Sequence, residues 1–483
     1  MSPFFLFSLL IAYFLLLIGI SYVTSRGANN ETFFLANKKS PWFLVAFGMI
    51  GASLSGITFI SIPGWVGNSA KQFGYMQMVL GYLVGYFVIA YVLMPLYYKM
   101  NVTSIYTYLK NRFGFYSHKI GALYFLLSRI IGASIRLLLV ANVLQAFVFD
   151  ELNIPFEITV LISIALIWVY TFKGGIKTII WTDTLQTLFM LLSLGFTFWF
   201  LSKELNLLET GGVIETIINS KYSQIFFFED WNSGTHFVKM FFGGIFIAIG
   251  MTGLDQDMMQ KNLSCKNLKS AQTNMVFFSI VLVFINLIFL GLGALLYMYA
   301  EQRGIAIPEK TDLLFPQIAL KSNMGIGIGV LFLLGLIAAA YSSADSALTS
   351  LTTSVCVDFV ETEEKKVSKS TRMKIHIIMS VVLFITVIIL NSTLDESAIW
   401  TLIRLAGYTY GPLIGLFFFG ILTKFKIYDK FVIIACIIPP ILSYYIDKYS
   451  VDLFNGFQFG GALIILNAVL TFLSLLTIIK RKN

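Results

Sequence analysis

Cysteine and histidine are scarce in this chain of 483 residues, with three of each. Cys265, Cys356 and Cys436 stand far apart and show no metal-type spacing, which excludes a disulfide framework and a zinc site. His118, His236 and His376 are equally scattered, so no histidine metal cluster is expected. The concentrated catalytic set that a polytopic membrane enzyme needs is missing for the same reason. Charged residues make up only 12% of the chain. A soluble protein carries about 25%, so this chain is expected to dissolve in lipid. A basic leader and a small-residue cleavage site are lacking around the apolar stretch 3–23, which is therefore expected to be a retained helix. No linker, low-complexity tract or soluble domain of any size is visible, and a single membrane domain over 1–483 is expected.

What is present is hydrophobic: 57% of residues, a mean hydropathy of +0.82, and 46 Phe, 23 Tyr and 7 Trp. Apolar windows of about 20 residues, each long enough to cross a bilayer, fall near 3–23, 41–62, 74–97, 120–147, 156–172, 183–201, 237–259, 272–299, 324–352, 375–391, 397–422, 429–446 and 459–479. These thirteen windows predict an all-α polytopic membrane protein. With the N-terminus outside, the inner loops and tail hold Arg26, Lys38, Lys39, Lys99, Lys110, Arg112, Lys119, Lys173 and Lys177. They also hold Lys261, Lys266, Lys269, the Lys365–Lys374 group, Lys424, Lys426, Lys430 and Lys480–Lys482. The basic residues of the inner side outnumber those outside roughly threefold, which the positive-inside rule converts into an outer N-terminus and a cytoplasmic C-terminus. The net charge of +9 is thus a device of topology, and nucleic acid is not an expected partner.

Polar residues inside the windows carry the functional signal. Gly51-Ala52-Ser53-Leu54-Ser55-Gly56-Ile57-Thr58 places small and hydroxyl residues at mid-depth, where lipid forbids unpaired backbone groups. Gly243–Gly253 has the same character in the second half of the chain. Paired interrupted spans are a pointer to a secondary transporter's binding site, because an unwound helix frees carbonyls for a cation and amides for an anion. Small-residue helix packing is the plainer alternative for either span alone. In Ala339–Ser350 the hydroxyls of Ser342 and Ser343 and the Ala339 carbonyl offer the oxygen ligands that sodium prefers. Asp345 in that span is either functional or solvated at the inner mouth. Asp183 is either an ion ligand or an N-cap of its helix. Asp257 and Lys261, four apart, are placed to pair on one helical face as a gating or structural element. Arg129, Arg136 and Arg404 are intramembrane cations; Arg136 is a candidate for an anionic substrate group, and any of the three can instead snorkel to an interface.

Together these segments resemble the sodium/solute symporter family across essentially the whole chain. The carrying features are Ser53–Thr58 with Pro63, Gly174-Gly175-Ile176 with Trp181-Thr182-Asp183 and Gln186, Asp257 with Gln260, Ser342-Ser343, and Arg404-Leu405-Ala406-Gly407 with Gly411 and Gly415. Within the family the chain is most similar to the bacterial sialic-acid and sugar transporter branch. The resemblance implies a leucine-transporter-type fold: an extra N-terminal helix at 3–23, inverted five-helix repeats at 41–201 and 237–422, and two C-terminal helices at 429–479. It implies a principal sodium site at the Gly51, Leu54 and Ala339 carbonyls with the Ser342 and Ser343 hydroxyls. A second sodium site is implied at Asp183, Ser342, Asp345 and Ser346, where Asp345 replaces a serine of the related pattern and either strengthens the site or admits a proton. Implied substrate contacts are Ser53, Ser55, Thr58, Gln77, Gly81 and Phe246. The branch's carboxylate-binding arginine aligns with Gly132 and its substrate glutamine with Gly81, so sialic acid is not the expected substrate unless Arg136, one turn on, takes over.

The reading is a sodium-coupled symporter that imports a small polar solute (sugar, carboxylate, amino acid or vitamin) by alternating access in the inner membrane, and acts as a monomer. Its rivals are a proton-coupled symporter using Asp183 or Asp345, a transporter-derived sensor and a passive channel.

Overall fold

The computed structural model describes residues 3–207, 212–321, 325–362, 365–393 and 398–480. Arg481 and Lys482 of the expected inner tail, and the first residue of the 397–422 window, lie outside the described residues. The apolar windows become helices in chain order. These are α1 (Pro3–Thr24), α2 (Trp42–Leu54), α3 (Gly56–Trp65), α4 (Tyr75–Val88, continued through a wider turn to Met100) and α5 (Phe115–Leu144). Next come α6 (Phe156–Thr171), α7 (Ile176–Glu204), α8 (Phe237–Ala248), α9 (Gln256–Leu263) and α10 (Leu268–Arg303). The series closes with α11 (Ile326–Ser354), α12 (Lys369–Thr393), α13 (Ala398–Leu422), α14 (Val432–Lys448) and α15 (Leu463–Thr477).

Ten of the described helices are long and apolar enough to cross a membrane, or twelve spans if each bent pair counts as one. The expected thirteenth is α6, whose 16 residues reach about 24 Å at 1.5 Å per residue, short of a hydrocarbon core of about 30 Å. Thirteen full-length spans are therefore not established. The apolar outer faces identify the solvent. Ile377, Ile378, Val381, Ile385 and Ile389 on α12 and Ile434, Ile437, Ile438 and Ile441 on α14 are all exposed, an apolar surface that only lipid covers at no cost.

The two interrupted windows are bent. α2 and α3 meet at 52°, and α8, extended by a wide turn over Ile249–Gly253, meets α9 at 63°. At the first break Ser55 takes φ 22° and ψ 169°, a conformation that an L-residue adopts at a cost of about 1–3 kcal/mol. The centre of the bundle is α11, buried without interruption from Gly335 to Ser354. It packs along α7 over the most extensive helix pairing in the molecule, and α2 lies against both. Two glycines set the α2–α7 approach. A Cβ on Gly51 would stand 2.1 Å from Thr187 Oγ1, and one on Gly48 3.0 Å from Asp183 Cβ. No larger residue lets the break of α2 reach the polar face of α7.

Candidate functional site

The bend at Ser55 leaves the last carbonyls of α2 without helical partners, and the hydroxyl face of α11 lies opposite them. Ser343 Oγ stands 3.4 Å from the Ala52 carbonyl and 3.4 Å from the Ala339 carbonyl. The Gly51 carbonyl accepts a bond from Ser55 N at 3.2 Å and keeps its second lone pair. The Ala52 carbonyl, which sequence reasoning did not name, is therefore the oxygen of α2 that meets Ser343. Its signal was available in principle, since a break at Ser55 interrupts the bonding of the carbonyls just before it, Ala52 among them. Three oxygens meet here, Ser343 Oγ and the Ala52 and Ala339 carbonyls, of the kind a hard monovalent cation takes, whereas Ser342 Oγ is turned to Asp183.

Beside it lies a buried polar cluster centred on Asp183. Ser342 Oγ donates to Asp183 Oδ1 at 2.7 Å, and Ser346 Oγ to Oδ2 at 3.5 Å. Gln186, with its amide nitrogen turned toward Asp183, lies 3.2 Å from Oδ1 and links through its oxygen to the Tyr13 hydroxyl at 3.1 Å. Asp345 Oδ2 accepts from the Tyr170 hydroxyl at 2.8 Å, while its Oδ1 is buried with no hydrogen-bond partner. Of the four residues assigned to the second cation site, Asp183, Ser342 and Ser346 are thus joined by hydrogen bonds, while Asp345 bonds Tyr170. Two of the structural alternatives fall: Asp183 is the eighth residue of α7 and caps nothing, and Asp345 is fully buried rather than solvated at a mouth.

The pairing expected within α9 is also corrected. Lys261 does not bond Asp257, four residues before it. Lys261 Nζ donates to Asp183 Oδ2 at 2.6 Å, and Asp257 pairs with Arg129 of α5. Every residue of α9 is buried, so its charges seek partners on the surrounding helices instead of one another. Its polar residues fasten it on all sides. Gln256 donates to the Thr103 carbonyl (2.7 Å) and accepts from Ile105 N (3.0 Å). Gln260 donates to the Phe34 carbonyl (2.6 Å) and Thr353 Oγ1 (2.9 Å). Asp255 caps the helix at Asp257 N (2.9 Å) and accepts from the Tyr410 hydroxyl at 2.5 Å.

Between α3, α4, α5, α8 and α13 lies a cavity of about 100 Å³. Ser53, Ser55 and Thr58 of the break line it, with Arg136, Tyr82, Asn286 and Thr252 among the other polar residues. Arg129 and Arg136 lie two turns apart on one face of α5, yet their states differ. Arg129 is paired with Asp257, whereas Arg136 has no ion-pair partner among the described residues; the Nε of each is buried without a hydrogen bond. The Gly132 position faces the same guanidinium: a Cβ there would lie 3.8 Å from Arg136 Nη1. Arg404, the third intramembrane cation, is on an exposed face of α13. Where α3 ends, Trp65 stacks on Trp400 with ring centroids 5.1 Å apart, and Lys71 Nζ lies 5.1 and 5.4 Å from the two rings. Burial pulls the Lys71 ammonium below its usual pKa, partly offset by Asp312.

Three residues named as substrate contacts fall outside the cavity lining. Gln77 spends both ends of its amide on the chain, donating to Gly74 O (3.2 Å) and Thr235 O (3.0 Å) and accepting from Phe227 N (3.1 Å). Gly81 is a packing glycine, since a Cβ there would meet the Phe241 carbonyl at 2.1 Å. Phe246 packs its ring on Phe418 at 6.2 Å, and its neighbours Ile247 and Ala248 reach the cavity instead.

The chain is 29% identical over 462 residues to the sodium/sialic acid symporter SiaT of Proteus mirabilis, covering 92% of this chain and 89% of that one. It is 27% identical over 417 residues to the sodium/sialic acid symporter NanT of Aliivibrio fischeri, covering 83% and 80%. A solved structure of the substrate-bound outward-open state of a Na+-coupled sialic acid symporter aligns with a TM-score of 0.81 at 21% identity, covering 99% of each chain. That likeness fixes the fold as leucine-transporter-type. The model of the sodium:solute symporter family matches residues 33–426. The chain therefore belongs to the sodium:solute symporter family, and is a sodium-coupled symporter of a small organic solute, not an enzyme.

Proposed function

We propose that the solute is a small organic anion, a carboxylate foremost, held by Arg136 and the hydroxyls of Ser53, Ser55 and Thr58. The observation that carries this is the Arg136 guanidinium, which has no ion-pair partner among the described residues. A buried cation without a counter-ion is costly, and a planar fork opening on a cavity is suited to bidentate carboxylate binding. The amides that open α3 add a positive helix terminus at the same end of the cavity. The cavity is small beside the roughly 300–1,000 Å³ of drug-sized ligand sites, which favours a small solute. The named substrate of the two relatives above is itself an acid.

Sodium is the second substrate, and its principal site is formed by the carbonyls of Ala339, Gly51, Ala52 and Leu54 and the hydroxyls of Ser342 and Ser343. Sodium there ties the break of α2 to α11 and so holds the first turn of α3, with its solute ligands, in the binding position. The rocking units are the repeats 41–201 and 237–422, each opened by a bent span, in an inner-membrane monomer with its N-terminus outside. The test is the melting temperature of purified protein in sodium against potassium chloride, followed by small carboxylates in each salt. A carboxylate shift that requires sodium supports the reading; equal shifts in both salts sink it.

A further inference from the structure

We propose that the groove between α6 and α12 is a binding site for an anionic phospholipid, with an acyl chain along the groove and the headgroup between Lys173 and Lys374. The site is independent of the solute and sodium sites and uses only the orientation proposed above, which puts both lysines on the inner side. The groove holds about 380 Å³ and is lined by Leu161, Ala165 and Trp168 of α6 and by Ile377, Val381 and Phe384 of α12. Its surface is apolar. Leu161, Ile377 and Val381 are exposed, and the hydroxyl of Ser380 on its wall is spent on the His376 carbonyl at 2.9 Å. In a bilayer such a face is covered by hydrocarbon.

One end of the groove is basic. Lys374 lies one turn before Ile377 and two turns before Val381, so it continues the lining stripe of α12. On α6 a ladder of rings leads from the groove to the other lysine. Trp168 stacks on Phe172 with centroids 4.8 Å apart, and Lys173 Nζ lies 5.3 Å from the Phe172 ring. Both lysines are exposed, and neither has an ion-pair partner among the described residues. The separation of the two helices is fixed at this end, because Arg372 donates to the Phe172 carbonyl (3.4 Å) and Thr171 Oγ1 lies 3.1 Å from His376 Nε2. The shortness of α6 supplies the reason a headgroup comes here. A bilayer answers a span too short for its hydrocarbon core by thinning, which brings headgroups down to the lysine at the helix end. A neutral lipid or a second membrane helix would fill the groove but leave both ammonium groups unanswered, whereas an anionic headgroup answers both. One lysine at an anionic membrane surface strengthens binding about fivefold, so the pair implies a preference of about 25-fold.

The test is lipid retention by the purified full-length protein in detergent, read by native mass spectrometry with phosphatidylglycerol and phosphatidylcholine of identical acyl chains. The wild type should hold phosphatidylglycerol about 25-fold more tightly. Lys173→Gln/Lys374→Gln should lose most of that preference with phosphatidylcholine binding unchanged, whereas Lys173→Arg/Lys374→Arg should keep it. Lys424→Gln/Lys426→Gln, which removes the same charge elsewhere on the inner side, should also keep it. Ala165→Trp fills the groove and should weaken retention of both lipids. Should the double glutamine variant not fold, each single variant carries the test with a loss of about fivefold. Equal retention of the two lipids by the wild type, or an equal loss of preference in Lys424→Gln/Lys426→Gln, overturns the inference. So does an oligomer that Ala165→Trp breaks into monomers, since a second copy would then occupy the groove.

Discussion

Arg129 and Arg136 show how one residue type takes two roles on one helix face. Both line the cavity, but the first is paired with Asp257, whereas the second has no ion-pair partner among the described residues. Arg136→Gln is therefore expected to abolish the sodium-dependent stabilisation by carboxylates while leaving the melting temperature in potassium unchanged or higher, since an uncompensated buried charge is removed. A loss of stability without ligand would mark Arg136 as structural. At the proposed sodium site, Ser343→Ala should lose the sodium-specific rise in melting temperature. A ligand at 100 times its Kd adds about 2.7 kcal/mol to the state that binds it, a shift easily read by thermal unfolding in the two salts. The serine pair and the break were legible because hydroxyls and glycines have no ordinary reason to interrupt an apolar span. Gln77, Gly81 and Phe246 were not, because a residue's place in an alignment does not say which way it faces. Only the packing against Phe227, Phe241 and Phe418 decides that.

Among the elements, the two bent spans both lie in windows that the sequence marked as interrupted. What the sequence did not reveal is the bonding of α9. The four-residue spacing of Asp257 and Lys261 is a rule for exposed helix faces, and it fails where a helix is enclosed and each charge meets a different neighbour. Asp257→Ala should accordingly destabilise the protein by about 3–5 kcal/mol, the cost of stranding one member of a buried pair. Removing both partners, as Asp257→Leu with Arg129→Met, should recover much of that loss in chemical unfolding. If the single and double variants unfold alike, the pair does not anchor α9. The approach of α2 to α7 gives a second test. Gly51→Ala forces a methyl against Thr187 Oγ1 and should cost about 1–3 kcal/mol, partly restored by Thr187→Ala, with sodium-dependent stabilisation falling in parallel because the same contact positions the carbonyls of α2.

For the whole molecule the consequence is coupling. In the proposed sites sodium and solute lie at the two ends of one short break, so each must raise the other's affinity by the same factor. In proteoliposomes, lowering sodium should weaken solute binding to the same degree that removing solute weakens sodium binding. An uncoupled pair of affinities, or flux that never accumulates solute against a gradient, would indicate a passive pore. The polytopic architecture was readable from hydropathy alone, and so was the shortness of α6, whose window 156–172 is bounded by Pro155 on one side and Lys173-Gly174-Gly175 on the other. The stacked indoles of Trp65 and Trp400 belong to this scale too. One sits at the end of the broken helix and the other on α13, so any motion that parts those elements separates two chromophores that share their excited state while stacked. The transporter thus carries its own optical gauge: exciton-coupled circular dichroism in the indole bands should fade when this end opens, and Trp400→Phe should erase the signal without the need for any attached dye.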